Sequence, residues 1–327
     1  MIISRTPLRI TFLGGGTDLK EFFQDEQGCV VNAAINKCVY IAIHKYFDDS
    51  IQVKYSKTEH VDNVEDIEHP LFREAMKLTG VTKGVEIASF ADIPSKGSGL
   101  GSSSSFLVGL LNALWAHKGE SKTPKELAEA ACKIEREILK EQGGYQDQYI
   151  TAFGNIQFIQ FNTDNSIKIN PINISNDKKE LLEKRLLVFY TGITRNSHDI
   201  QKQVHSNKEK NKETLQKMKQ LAIKLKEELE NGNLDAFGEI LNQGWELKRN
   251  MNNAISNDNI NNYYEKAKQA GAIGGKLMGA GGGGFLLFYA HEDKHDAIKN
   301  TLSDLKELEI QFEEKGSKII YVHDDTN

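Results

Sequence analysis

Apolar residues alternate and then run together over residues 1–13, where Ile10, Phe12 and Leu13 mark a strand. The run stops at Gly14-Gly15-Gly16-Thr17-Asp18, which reads as a turn. Residues 28–56 carry further strands, including Val39-Tyr40-Ile41-Ala42-Ile43 and Ile51-Gln52-Val53-Lys54-Tyr55. A helix is predicted after Pro70 and a strand over 85–90. Leu107, Leu110, Leu111, Leu114 and Trp115 then recur at i, i+3, i+4, i+7 and i+8, one face of a helix. Thr123-Pro124-Lys125-Glu126 opens another helix with a capping threonine, proline in the first position and glutamate in the third. That helix carries Leu127, Ala131, Ile134 and Ile138, and is expected over 125–140 with its end near Gly143-Gly144. The pattern turns polar through 173–180, and the apolar run Leu186–Tyr190 begins a new strand. A domain boundary is therefore expected at 175–185, giving units 1–180 and 181–327. Over 200–230, Leu215, Met218, Leu221, Ala222, Leu225 and Leu229 form one stripe of an otherwise charged helix, read as a solvated amphipathic helix.

Residues 94–105 read Pro-Ser-Lys-Gly-Ser-Gly-Leu-Gly-Ser-Ser-Ser-Ser. They lie between the strand at 85–90 and the Leu107 helix. A glycine-rich loop running into a helix N-terminus presents free N–H groups and the positive end of the helix dipole, which suits phosphate. Gly97, Gly99 and Gly101 permit close backbone approach, and the serines add hydroxyls for phosphate or magnesium. A flexible linker would not run straight into a buried helix. A second glycine cluster spans 276–288, and Gly279, Gly281 and Gly284 satisfy G-x-G-x-x-G. A dinucleotide site needs a strand before that motif and a helix after it. Here a helix-like segment (263–270) precedes and a strand (285–289) follows. No Walker A sequence occurs. The density of glycine suits a loop that approaches phosphate, or the facing loop, better than one that merely lets strands pack.

Two carboxylates stand out. Glu135 lies on the 125–140 helix, and Asp147 follows Gly143-Gly144 between Gln146 and Gln148. Phosphoryl transfer needs a hard oxygen ligand for magnesium and a base or orienting group for the attacking hydroxyl. Glu137 and Glu141 compete for the same reading as solvated charges; Asp147 is the more distinctive residue.

A hydrophobic content of 39% with 27% charged residues describes a soluble globular protein, and a net charge of −5 argues against a nucleic-acid binder. No stretch approaches a membrane span, and the N-terminus lacks a signal-peptide layout, so a cytoplasmic protein is expected. Cys29, Cys38 and Cys132 form no C-x-x-C pair and read as reduced thiols.

With these residues in place, the chain resembles the GHMP superfamily of small-molecule kinases over nearly its whole length. The likeness rests on Thr6–Asp18, Pro94–Ser104 and Gly279–Phe285, in that order. Within the superfamily, Gly143–Gln148, Thr191-Gly192-Ile193-Thr194-Arg195 and Trp245-Glu246-Leu247-Lys248 are similar to the heptose 7-phosphate kinases, and fucokinases and galactokinases share parts of the set. The resemblance implies an α+β fold with an N-terminal ribosomal-protein-S5-like domain and a C-terminal ferredoxin-like domain. It implies ATP and Mg2+ as cofactors, a sugar phosphate as acceptor, phosphorylation at the anomeric hydroxyl, and a monomer or homodimer without nucleic-acid or membrane partners. By the same likeness Asp147 is the catalytic aspartate and Arg9 sits against it. Pro94, Lys96, Gly97, Ser98, Gly99, Leu100, Gly101, Ser102, Ser103 and Ser104 surround ATP, while Ser103 and Glu135 hold magnesium. Thr17, Asp18, Gly144, Arg195, Gly281 and Gly282 face the sugar, with Arg195 and Lys96 as candidates for the acceptor's own phosphate. Galactokinases carry Gly-Glu-His-Thr-Asp where this chain has Gly-Gly-Gly-Thr-Asp, which leaves room for a larger sugar. A sugar 1-kinase for L-fucose or galactose, and a non-catalytic sugar and ATP sensor, are the competing readings. A sensor would tend to lose the acids or loop serines that are present here.

Overall fold

The computed structural model describes residues 1–94, 97–193 and 208–323, the side chains of 208–210 excepted. Strand β1 (Ile2–Leu13) enters antiparallel to β2 (Gly28–Lys45), with the short helix α1 (Lys20–Phe23) after the turn between them. Next come β3 (Ile51–Lys54), β4 (Thr58–Val61), α2 (Pro70–Thr79) and β5 (Val85–Ala91). Helices α3 (Ser102–His117), α4 (Pro124–Cys132) and α5 (Gln146–Phe153) follow, then β6 (Ile156–Phe161) and β7 (Ile167–Pro171). β2 is long enough to serve two neighbours: Gly28–Ala33 pairs with β6, and Val39–Lys45 pairs with β5. Only the β3–β5 pairing in this sheet is parallel among the described residues.

Helix α3 lies on β1 and β2. Ser4 Oγ donates to the Gly109 carbonyl at 2.8 Å, and a Cβ on Gly109 would stand 2.7 Å from Thr6 Oγ1, so only glycine allows this approach. Leu107, Leu110, Leu111 and Leu114 are fully buried beneath it. Removing that much apolar surface from water fixes the helix, and with it the loop that feeds its N-terminus.

The second half contains α6 (Asn176–Lys184), β8 (Leu186–Tyr190), α7 (Lys208–Glu230), α8 (Leu234–Arg249), α9 (Asp258–Gln269), β9 (Gly274–Leu277), β10 (Phe285–Tyr289), α10 (His295–Thr301), β11 (Lys306–Glu307) and β12 (Lys318–Val322). Its antiparallel sheet has the order β11-β8-β10-β9. β12 instead leaves this half and pairs with β1, at the edge of the first sheet. One core joins the halves: Phe12 and Phe237 meet edge to face with centroids 5.0 Å apart, and Leu13 occupies the space a Cβ on Gly244 would need. No described helix is long and apolar enough to cross a membrane.

Several expectations change. The stretch at 175–185, where the domain boundary is expected, is occupied by helix α6, with Leu182 fully buried. The 125–140 helix is regular only to Cys132. Residues 133–138 widen into a π-helical turn, Ile138 is exposed, and Lys140 takes a positive φ of 54°. The wider turn ends the i, i+3, i+4 stripe before Ile138 and lets Glu135 point inward. The 208–230 helix is amphipathic as expected, and its stripe packs inward with Met218, Ala222, Leu225 and Leu229 buried. Finally, a strand, β9, does precede Gly279. β10 follows the glycines, so they form a hairpin loop, and the helix a dinucleotide site requires is absent there.

Candidate active site

Four segments converge on one cavity: the end of β1, the turn at 14–18, the start of α5, and the β9–β10 loop with α8 behind it. Arg9 lies opposite Ala34 of β2, beyond the Ile2–Arg5 stretch that pairs with β12, and projects from β1 with only 6% of its surface exposed. Asp147 sits in the first turn of α5. Arg9 donates to both of its carboxylate oxygens, Nε to Oδ1 and Nη2 to Oδ2, each at 2.7 Å. This bidentate geometry is a strong, orienting form of ion pair. Arg9 Nη1 also donates to the Gly99 carbonyl at 2.6 Å, tying the glycine-serine loop to the aspartate.

That loop has the conformation its glycines allow. Gly97, Gly99 and Gly101 have φ of 68°, 72° and 76°. Leu100 is fully buried beneath the loop, and its carbonyl accepts from the Arg9 N–H at 3.0 Å. Ser98 and Ser102 share a hydrogen bond of 2.9 Å between hydroxyls. Gly101 caps α3 without any side-chain hydrogen bond, which leaves the first helical N–H groups to an anion. The second glycine cluster presses on this loop: a Cβ on Gly279 would lie 2.5 Å from the Gly99 Cα, and one on Gly284 would lie 2.7 Å from the Ser98 carbonyl oxygen. So the facing-loop half of that expectation matches the contacts. Pro94 is exposed at the start of the loop, and Lys96 lies outside the described residues.

Glu135 is buried with 1% of its surface exposed. Ser104 Oγ donates to it at 3.1 Å, Ser103 Oγ at 3.4 Å, and the Gln148 amide also donates. Burial pushes its carboxyl pKa up, against the pull of Arg136, whose guanidinium stands 3.8 Å away, and of Gln148. A buried carboxylate with neutral donors and an incompletely engaged cation, beside the exposed Ser103 hydroxyl at the α3 N-terminus, fits a hard divalent ion that completes its shell with phosphate oxygens. Ser102 is turned instead toward Ser98.

Asp18 is 1% exposed and accepts from the Gly16 N–H at 2.9 Å and the Gln146 N–H at 3.4 Å. Burial raises its pKa, opposed by the Gly16 hydrogen bond and reinforced by Asp147. Gly144 is in the cavity wall pressed against it; a Cβ there would meet Asp18 Oδ2 at 1.7 Å. Three other expected sugar contacts move. Thr17 is fully buried, and its hydroxyl bonds the backbone of Gly14 and Cys29, so it holds the turn and does not line the cavity. Gly281 and Gly282 pack on Ile255, whose carbonyl accepts from the Gly282 N–H at 2.9 Å; Gly279 and Ala280 take the wall instead. Arg195 lies outside the described residues.

The cavity also contains cations that the pattern of the chain did not single out. Lys276 is 5% exposed and donates to the carbonyls of Thr11 and Phe12 at 2.7 and 2.8 Å. Burial, with Lys248 and Arg9 close by, pushes its pKa well down. Lys248, half-buried on α8, donates to the Gly279 carbonyl. Arg136 donates to the carbonyls of Gly144 and Glu141, each at 3.1 Å, and so folds the 141–144 segment against the cavity. Met218 adds an apolar surface from α7. Lys248 ends the Trp245–Lys248 motif, Lys276 heads the 276–288 glycine cluster and Met218 belongs to the apolar stripe, but none of the three had a role in the site from sequence.

Two family descriptions match the chain: "GHMP kinases N terminal domain" over residues 69–155 and "GHMP kinases C terminal" over 225–307. A D-glycero-alpha-D-manno-heptose 7-phosphate kinase of Campylobacter jejuni is 33% identical over 307 residues, 90% of each chain. A galactokinase of Pyrococcus furiosus is 26% identical, spanning 98% of this chain and 97% of its own. Among solved structures, a D-glycero-D-manno-heptose 1-phosphate kinase of Bacteroides thetaiotaomicron shares the fold with a TM-score of 0.82 at 24% identity, covering 99% of this chain and 100% of its own.

Proposed function

This chain belongs to the GHMP kinases, and from that premise we propose that it transfers the γ-phosphoryl group of ATP to the anomeric C1 hydroxyl of D-glycero-D-manno-heptose 7-phosphate. The products are the 1,7-bisphosphate and ADP, a step toward nucleotide-activated heptose for surface polysaccharide. The observation that carries the reading is the Arg9–Asp147 pair tied to the Gly99 loop. It puts a fixed carboxylate beside the loop that would hold the triphosphate.

In this reading the N–H groups at the start of α3 and the loop glycines hold the β- and γ-phosphates. The acceptor hydroxyl hydrogen-bonds to Asp147. As its oxygen forms the bond to the γ-phosphorus, the bond from that phosphorus to the β–γ bridging oxygen breaks, ADP leaves, and the hydroxyl proton passes to Asp147. Arg9 keeps the carboxylate in line and places positive charge beside the moving group. Glu135 and Ser103 would hold Mg2+, which supplies charge neutralisation on the β- and γ-phosphates. Asp18, fixed by two backbone N–H groups, accepts from sugar hydroxyls. Most of the rate gain comes from alignment and electrostatics; alignment alone can contribute about 7–11 kcal/mol.

The acceptor pocket supports a sugar larger than galactose. A Cβ on Gly15 would meet nothing closer than 3.7 Å, so a side chain is sterically allowed at this lining position and is absent. End-point product analysis with ATP and heptose 7-phosphate, beside L-fucose and galactose, tests the reading. Turnover of fucose or galactose with none of the heptose phosphate would replace it.

A further inference from the structure

The cavity holds more positive charge than its carboxylates engage. Arg9 is bound to Asp147, and Lys276 to two carbonyls of β1. Lys248 is different. Its ammonium lines the cavity, and among the described residues its hydrogen-bond acceptor is the Gly279 carbonyl alone. An ammonium has three donors. The charges that act on it are Arg9, which repels it, and Asp18, whose oxygens already accept from the Gly16 and Gln146 N–H groups; it in turn repels Lys276. A half-buried ammonium with one neutral acceptor, and with the Arg9 guanidinium repelling it, is poorly stabilised until an anion joins it.

Resting on the sugar-kinase reading above, we propose that Lys248 is the specificity-determining residue of the acceptor pocket, receiving a phosphomonoester that the sugar carries away from the reacting hydroxyl. Lys248 reaches the cavity from α8, against the second glycine loop, in the second half of the chain; Asp18 and Asp147 enter from the first. A sugar whose C1 hydroxyl lies at Asp147 can therefore meet two separately built walls, one acidic that accepts from hydroxyls and one cationic that receives phosphate. The alternative source of the same chemistry is the γ-phosphate of ATP. Burial and Arg9 lower the lysine's pKa to about 8, so it is charged at neutral pH yet reactive as an amine.

Two measurements decide the matter. The first compares kcat/KM for heptose 7-phosphate and for unphosphorylated heptose in the wild type, Lys248→Met and Lys248→Arg. The expected result is a fall of roughly 10- to 100-fold for Lys248→Met on the phosphorylated sugar, a fall of no more than about threefold on the other, and partial recovery in Lys248→Arg. Equal losses on both sugars would assign the lysine to the transferred phosphate and overturn the proposal. The second follows amine acylation of Lys248 in the full wild-type chain by mass spectrometry, with a non-hydrolysable ATP analogue and Mg2+ present throughout. Added inorganic phosphate is expected to slow that acylation further. No added protection would overturn the proposal. This second measurement stands even if the wild type turns over neither heptose, a result that would defeat the substrate assignment above on its own.

Discussion

Arg9 reaches both oxygens of Asp147 at 2.7 Å and the Gly99 carbonyl at 2.6 Å, so one guanidinium aligns the carboxylate and the loop in a single plane of donors. Position along the chain does not suggest this link. The three residues lie in β1, in the loop before α3 and in α5, and the contact exists because α3 packs directly on β1.

Replacing Asp147 by Asn removes the proton acceptor while preserving its size. Turnover should fall by about 10²–10⁴, with ATP and sugar affinities within a few fold of wild type. Single-turnover kinetics and calorimetric titration check this; near-normal turnover would remove the base assignment.

Lysine at position 9 keeps the charge and loses the fork. It cannot bond both Asp147 oxygens and Gly99 together. Arg9→Lys should lower kcat by at least about tenfold and raise the KM for ATP, because the loop loses its tie. A variant with wild-type values for both constants would mean that the pair is not needed for alignment.

Glu135 should trade stability for activity. Its raised pKa means that the folded chain disfavours the charged form, so its contribution to stability is lost as pH rises from the unfolded value of about 4.5 through the folded one. Gln148 Oε1 is buried without a partner and could accept from an amide at 135. Glu135→Gln should therefore melt no lower than wild type at pH 7, and about 2 °C higher if the new bond forms. The same variant should need far more Mg2+ for half-maximal activity. Unchanged Mg2+ dependence would remove Glu135 from the metal site.

Gly99→Ala sets a Cβ 2.5 Å from the Met278 carbonyl oxygen at a φ of 72°. It should separate the two glycine loops, raise the KM for ATP at least about tenfold, and cost on the order of 1 kcal/mol or more in stability. Gly119→Ala is the control. Its φ is 77° and nothing lies within 4 Å, so it should lose stability through backbone strain alone, with kinetic constants unchanged. Parallel denaturant melts and ATP titrations separate the two effects.

Lys248 gives the acceptor step a pH limit. With its pKa lowered to about 8, mainly by burial, the lysine loses its charge as pH rises through 8. Arg9, Asp18, Asp147, Lys276 and Arg136 share its cavity, and burial pushes the Lys276 pKa down as well. The KM for a phosphorylated acceptor should climb above pH 8 while that for its unphosphorylated counterpart stays flat. For the empty protein the sign is opposite. A depressed lysine pKa adds stability as pH rises from 8 toward the unfolded value of 10.5.

What the chain made legible was local. The bend of the glycine-serine loop could be read because left-handed backbone next to a helix start needs those residues, and Asp147 stood out because two glycines and two glutamines frame it; the structure puts Asp147 in the cavity wall. The π-helical turn at 133–138 was hidden, since its apolar spacing is that of an ordinary helix until Ile138. Thr17 was misplaced because a hydroxyl in a turn can face a ligand or its own backbone, and nothing in composition separates the two. Lys276 and Met218 could not be found from pattern: one hides in a glycine run, the other in a stripe that looks like any helix packing on a sheet. Their roles depend on which half of the chain folds over which.

β12 lies some three hundred residues after the strand it completes. During synthesis, β1 can gain β2 early, but its other edge over Ile2–Arg5 stays bare until the segment near 320 has left the ribosome. A nascent chain halted before that point would hold Arg9, Asp147 and both glycine loops and still expose an unpaired strand, the kind of edge that recruits other chains. The last strand thus moves the edge of the sheet from β1 to its own five residues, and a short edge is the less inviting one.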